Sequence, residues 1–190
     1  MIKVLKRLLD RSPERPAEPA RPAFSVLMVC MGNICRSPTA EAVLRRKLAA
    51  AGLDRTVRVD SAGTHGYHTG EAPDPRAIRQ GAARGYALAA IRARPFQPPD
   101  YLDHAWILAM DQANLDWLRR KAPPDYVGRI ELLLGYCSHH AGKREVPDPY
   151  YGAPAGFDHV LDLVEDACDG VVERLKVEVH AYIQGSSARS

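Results

Sequence analysis

Cysteine is scarce in this chain: four occur in 190 residues, at positions 30, 35, 137 and 168. That is too few for the disulfide framework of a small secreted domain, and it fits thiols kept reduced in a cytoplasm. No apolar run approaches the roughly 20 residues that cross a bilayer. The opening MIKVLKRLLD is broken by charge before it reaches the apolar length of a secretion signal, so export is not expected. Excess charge is missing from most of the chain as well. The net charge of +3 sits in the first 23 residues, which carry six basic and three acidic side chains; the remainder balances 20 against 20. The balanced body gives no sign of the basic surface that nucleic-acid binding needs.

What remains is an ordinary globular composition, 46% hydrophobic and 26% charged, long enough for one domain. Residues 11–23 hold four prolines among Arg, Glu and Ala, a stretch that cannot pack. The expected organisation is a disordered, basic, Pro-rich tail over 1–23 and one ordered domain over 24–185. Ile2, Leu5 and Leu9 stand at helical spacing beside basic residues, but a frayed terminus is the simpler reading and membrane contact through the tail is not expected.

From Phe24 onward strand-like and helix-like segments alternate. Ser25–Val29 is a continuous apolar run that suits a buried parallel strand. Pro38–Leu48 reads as a helix, Val57–Ala62 as a strand and Pro75–Arg84 as a helix. Ala105–Met110 reads as a third strand, followed by a helix capped at Asp111 and running to about Lys121. Arg129–Leu133 reads as a fourth strand. Phe157, Val160, Leu161, Val164, Cys168, Val171, Val172, Leu175 and Val179 recur at intervals of three and four, the stripe of an amphipathic helix. The expected fold is α/β: three layers, with a four-stranded parallel sheet and helices on both faces. Ligands of such sheets bind beyond the carboxyl ends of the strands.

One strand end carries unusual chemistry. Cys30-Met31-Gly32-Asn33-Ile34-Cys35-Arg36-Ser37-Pro38 joins the first strand to the first helix. Cys168 and Arg174 repeat the spacing of Cys30 and Arg36, but inside a helical stripe where no loop can form. At Cys30, Gly32 and Asn33 tolerate left-handed backbone angles that turn successive N–H groups inward as an anion nest. Ser37 is expected at the helix N-cap and Pro38 at the first helical position, so the positive helix end meets the nest. Met31, Gly32, Asn33, Ile34, Cys35, Arg36 and Ser37 would then surround a phosphate, with Arg36 adding a planar fork to two oxygens. Such a field favours thiolate over thiol at Cys30 and readies it for in-line attack on phosphorus, with Ser37 bonded to the sulfur. The loop lacks the Gly-Lys-Ser/Thr ending of a nucleotide-binding P-loop.

On this loop the chain resembles the low-molecular-weight protein tyrosine phosphatases. Val59-Asp60-Ser61-Ala62-Gly63-Thr64, Met110-Asp111 with Asn114, and Asp148-Pro149-Tyr150-Tyr151-Gly152 extend the likeness over roughly Val26 to Leu175. The resemblance implies Cys30 as nucleophile, Arg36 as clamp on phosphate and transition state, and Asp148 as general acid. It implies that Asn33, Ser37 and Ser61 hold the loop, and that Tyr67, Tyr150 and Tyr151 wall the substrate ring. It implies no cofactor and no metal. The partners it implies are phosphotyrosine proteins, a tyrosine kinase among the candidates, with phosphate or another oxyanion in the loop. The family often carries a supporting histidine in the segment before Arg92; here Leu88-Ala89-Ala90-Ile91 places Ala90 there, which puts that support in doubt.

The proposed chemistry needs an acid, because a phenol with pKa of about 10 leaves poorly unless protonated. Without the resemblance Asp148 would read as an Asp-Pro turn residue, as Asp74 does. Cys35 has two open readings, a resolving thiol for Cys30 or a small packed side chain. Cys137, His139 and His140 are read as a loop rather than as metal ligands. Two other activities use the same fold. Arsenate reductase needs two further relay cysteines and usually a serine at the position of Ile34; phosphoarginine phosphatase commonly has a threonine there. The bulkier Ile34 favours a flat aromatic substrate.

Overall fold

The computed structural model describes residues 24–187. The tail expected over 1–23, and the apolar spacing within it, lie outside the described residues. Four strands, β1 (Phe24–Cys30), β2 (Val57–Gly63), β3 (Trp106–Ala109) and β4 (Arg129–Leu132), pair in parallel in the order β2-β1-β3-β4. Five helices connect and cover them: α1 (Arg36–Ala50), α2 (Pro75–Ala83), α3 (Asp100–Asp103), α4 (Gln112–Lys121) and α5 (Ala155–Ser187).

The continuous apolar run of β1 follows from its central place, with both faces covered. Val26 and Met28 point into a core shared with Val43 and Leu44 of α1 and Val164 and Cys168 of α5. Leu27 and Val29 point the other way, against Ile107, Ala109 and Leu115 and Leu118 of α4. The three layers are thus those read from the pattern.

The nine stripe residues of α5, Phe157 to Val179, are all buried. The valines, leucines and phenylalanine among them each contribute roughly 1.5–3 kcal/mol as an upper estimate. The helix packs closely enough that a Cβ at Gly170 would stand 2.0 Å from the carbonyl oxygen of Tyr136.

Differences fall at element ends. β4 stops at Leu132, and Leu133–Tyr136 turns into a 3₁₀ helix. The one-turn α3 carries no stripe long enough to show in the sequence; it buries Asp100 and Tyr101. The first helix starts at Arg36, two residues before the expected start, with Cys35 at its N-cap. Ser37 therefore lies inside the helix and its hydroxyl is directed elsewhere.

The topology decides where a site can form. After β1 the chain passes through α1 to β2 on one side, then crosses to β3 on the other. The carboxyl end of β1 is therefore the switch point of the sheet, where strand ends leave a crevice. Cys30 is the last residue of β1.

Candidate active site

Asn33 has φ of 56°, the left-handed region. Gly32, also expected there, is not among the positive-φ residues. An asparagine tolerates this geometry because its short amide can bond locally. The turn directs the Asn33 N–H at the sulfur of Cys30, 3.2 Å away, and the Ser37 hydroxyl lies 3.0 Å from that sulfur. This use of Ser37 explains why it does not cap the helix.

The Asn33 side chain is bonded at both ends. Its Nδ2 donates to Ser37 Oγ and Ser61 Oγ, each at 2.9 Å, and its Oδ1 accepts from the Arg94 N–H at 2.9 Å. Ser61 in turn donates to the carboxylate of buried Glu41, which pairs with Arg45 at 2.7 Å. Burial pushes the Glu41 carboxyl up, against the pull of Ser61 and Arg45. A line of polar contacts thus runs from the sulfur through Ser37, Asn33 and Ser61 to Glu41. Ala90, placed where the family often has a histidine, is exposed in a turn.

Arg36 is 4% exposed, and its guanidinium holds two carboxylates. Nη1 lies 2.6 Å from Asp111 Oδ2, and Nη2 lies 2.9 Å from Asp148 Oδ2. Burial works against the Arg36 charge, but Cys30, Asp111 and Asp148 outweigh it and hold the group charged. Asp111 caps α4 as expected, its Oδ1 accepting from the Asn114 N–H at 2.7 Å. Asp148 Oδ1 accepts from the Tyr150 N–H at 3.1 Å.

Arg36 and Asp148 share a cavity of about 300 Å³ with Cys30. Cys30, Arg36, Met31, Gly32, Ile34 and Cys35 line it; Asp148, Tyr67, Tyr150 and Tyr151 complete the lining with His68. Tyr150 and Tyr151 meet edge to face at 4.9 Å, and Tyr67 stacks on His65 at 5.3 Å. The three tyrosines picked from the sequence are therefore brought to the same opening. A wider groove of about 1160 Å³ lies over β4 and the 3₁₀ turn and contains none of the residues expected to react.

Other candidates separate from the site. Cys168 is buried on α5, its thiol against the Ala40 carbonyl, and burial pushes it up. Burial pushes Cys137 up to about 12. All four cysteines are free; Cys35 is buried, and burial pushes its thiol up to about 12. His139 and His140 both turn toward Asp166, which also accepts from the N–H groups of Ser138, His139 and His140. Asp74 caps α2, accepting from the Arg76 N–H. Sequence reading missed Glu41, Arg94 and His68, and saw Asp111 only as a cap. Nothing in the sequence sets Glu41 apart from a surface helix glutamate. Arg94 acts through its backbone, which no residue type announces.

A sequence model of low molecular weight phosphotyrosine protein phosphatases matches residues 25–181. The low molecular weight protein-tyrosine-phosphatase of Streptomyces coelicolor is 42% identical over 158 residues, covering 82% of this chain and 96% of that protein. The human low molecular weight phosphotyrosine protein phosphatase is 37% identical over 152 residues, covering 79% and 94%. A crystal structure of a protein tyrosine phosphatase from Entamoeba histolytica, with Hepes in its active site, superposes with a TM-score of 0.78 at 38% identity, covering 82% of this chain and 98% of that one. Over one shared stretch of sequence and fold, the chain belongs to the low-molecular-weight protein-tyrosine-phosphatase family of phosphoric monoester hydrolases.

Proposed function

We propose that this chain hydrolyses phosphotyrosine in proteins through a cysteinyl-phosphate on Cys30, with protein groups alone neutralising the phosphate. The observation that carries this reading is the meeting of the Cys30 sulfur, Arg36 and Asp148 in one tyrosine-lined cavity.

The Cys30 thiolate attacks phosphorus as the P–O bond to the phenol breaks. Ser37 and the Asn33 N–H, already at the sulfur, stabilise its charge before attack and after departure. In this structure Arg36 binds Asp111 and Asp148. A phosphate dianion in the loop draws that guanidinium to its equatorial oxygens and leaves Asp148 facing the leaving oxygen. Protonated Asp148 gives its proton to the phenolate as the bond breaks; positioned general acids contribute about 10²–10⁴-fold. In the second step the Asp148 carboxylate takes a proton from water as that water attacks phosphorus, releasing inorganic phosphate and the thiolate. Spread charge in the transition state is met by amides and Arg36, so positioning does most of the catalysis.

Tyr67, Tyr150 and Tyr151 suit an aromatic ring, and Ile34 among them suits a flat substrate better than a guanidino group. Hepes in the Entamoeba relative's active site supports an oxyanion in the matching loop here. Buried Cys168 makes no partner for a cysteine relay, which speaks against arsenate reduction. Residues 24–185 are read as the catalytic domain, 1–23 as an appended tail, and the free cysteines as fitting a cytoplasm. Phosphotyrosine proteins, a tyrosine kinase among them, are the partners.

The test is hydrolysis of aryl phosphates in chelator. Cys30→Ser abolishes turnover. Asp148→Ala loses about 10²–10⁴-fold on poor leaving groups and far less on good ones. Equal loss across leaving groups would refute Asp148 as the acid, and activity that vanishes in chelator would refute metal independence.

A further inference from the structure

Residues 147–154 contain no strand or helix, yet they carry Asp148. Among the described residues, apart from the Gly156 and Phe157 N–H groups that start α5 and bond to the Ala153 and Pro154 carbonyls, the hydrogen bonds from the rest of the protein to this segment come from two arginines. Arg36 holds the Asp148 carboxylate. Arg76, on α2, donates from Nη2 to the Tyr150 carbonyl at 3.0 Å and from Nη1 to the Gly152 carbonyl at 3.3 Å. The first bond falls on the residue whose N–H holds Asp148 Oδ1.

Arg76 is itself fixed on two sides. Asp74 Oδ1 accepts from its Nε at 3.0 Å and Oδ2 from its Nη2 at 2.8 Å, a bidentate pair with Asp74 9% exposed. Its guanidinium lies over the Phe157 ring at the start of α5, 4.7 Å from the centroid. The Asp74 carboxyl is held below the usual range, first by the hydrogen bond from the Arg76 side chain. Capping α2 needs only the Arg76 backbone N–H, 2.7 Å from Asp74 Oδ1. The side-chain fork is additional, and a planar fork suits it because lysine cannot serve a carboxylate and two carbonyls together. Asp74 also donates its own N–H to the Ile34 carbonyl at 2.8 Å, inside the loop around Cys30. Two short links therefore run from the phosphate loop to the acid loop through one Asp-Pro-Arg corner.

We propose that Asp74 and Arg76 are positioning residues that register Asp148 against Cys30; this rests on the reading of Asp148 as general acid. When phosphate draws Arg36 away from Asp148, Arg76 remains as the polar anchor of the acid loop at the moment the proton must move. Misplacing a catalytic group by about 1 Å can cost about 10²-fold.

The experiment measures kcat and KM on aryl phosphates of graded leaving-group pKa for the parent, Arg76→Ala, Arg76→Lys, Asp74→Asn, Asp148→Ala and the Arg76→Ala/Asp148→Ala double variant. Arg76→Ala is expected to lower kcat about 10- to 100-fold on poor leaving groups and about threefold or less on good ones, with KM little changed. Arg76→Lys should fall between. Asp74→Asn keeps a cap acceptor and weakens the fork, so it should show a smaller loss with the same leaving-group signature and serves if Arg76→Ala fails to fold. In the double variant the Arg76 effect should vanish, because it acts through Asp148. Equal loss on all leaving groups, or full additivity with Asp148→Ala, overturns the positioning role. If instead Asp148→Ala shows no leaving-group dependence, the acid assignment falls, and the role built on it falls too.

Discussion

The carboxylate of Asp111 does two jobs with its two oxygens: Oδ2 lies 2.6 Å from Arg36 Nη1 and Oδ1 caps α4 through the Asn114 N–H. The helix that covers one face of the sheet is thereby tied to an arginine that lines the cavity. A shift of α4 would move the Arg36 fork, so packing on that face and phosphate recognition are mechanically joined.

Two variants separate these jobs. Asp111→Asn retains a good cap and removes the charge facing Arg36; Asp111→Ala removes both. The Ala variant should be less stable than the Asn variant by about 1 kcal/mol, the usual worth of a cap. Both should be less stable than the parent, since each leaves Arg36 with Asp148 as its remaining carboxylate. Urea midpoints with unchanged slopes would check this. Equal midpoints for the two variants would mean the cap contributes nothing.

The contacts beneath the loop invite a second comparison. Ser61 donates to Glu41 and accepts from Asn33, and burial pushes the Glu41 carboxyl up. A neutral amide of the same shape should be tolerated there better than a gap. Glu41→Gln is expected to cost about 1 kcal/mol or less, and Glu41→Ala about 2–3 kcal/mol because Ser61 loses its acceptor in a buried place. Thermal melts measure the first difference. A fall in kcat for Glu41→Ala with Cys30 alkylation slowed would show that the disturbance reaches the sulfur. If Gln proves as damaging as Ala, the charge itself is needed, and the pairing with Arg45 matters more than shape.

Much of this architecture was legible because it rests on periodic signals. The α5 stripe and the apolar run of β1 record burial directly, and burial is what the structure shows at both. The string from Cys30 to Pro38 was legible because several residue types with separate physical reasons coincide there. The helix start was misjudged for a related reason. Ser37 has the side chain of a cap, but the sulfur and Asn33 take its hydroxyl, and Cys35 fills the cap position without a side-chain bond. Asp74 shows the opposite case: its sequence reads as a plain turn, yet its neighbour Arg76 reaches the Tyr150 and Gly152 carbonyls, some 75 positions away in the chain. Contacts of that kind leave no local trace.

Asp166 sets the last expectation, a dependence of stability on pH. It is 7% exposed and accepts from the N–H groups of Ser138, His139 and His140, with both imidazoles beside it. Burial alone would raise its carboxyl, but the N–H donors and His140 outweigh that and hold it well below the usual range. In the unfolded chain an aspartate titrates near about 3.9. The folded value is the lower one, so between the two the unfolded state binds more protons and stability rises with pH. The contribution is complete above about pH 4 and disappears as pH falls through the folded value. Asp166→Asn should therefore be less stable than the parent by about 1–3 kcal/mol at pH 7, as expected for buried donors losing a charged acceptor. The gap should narrow as pH is lowered below about 4, where the parent loses its own advantage. Urea titrations of both proteins at a series of pH values would measure it, and a gap that stays constant down to the acid limit would show that the carboxylate charge does not hold this loop.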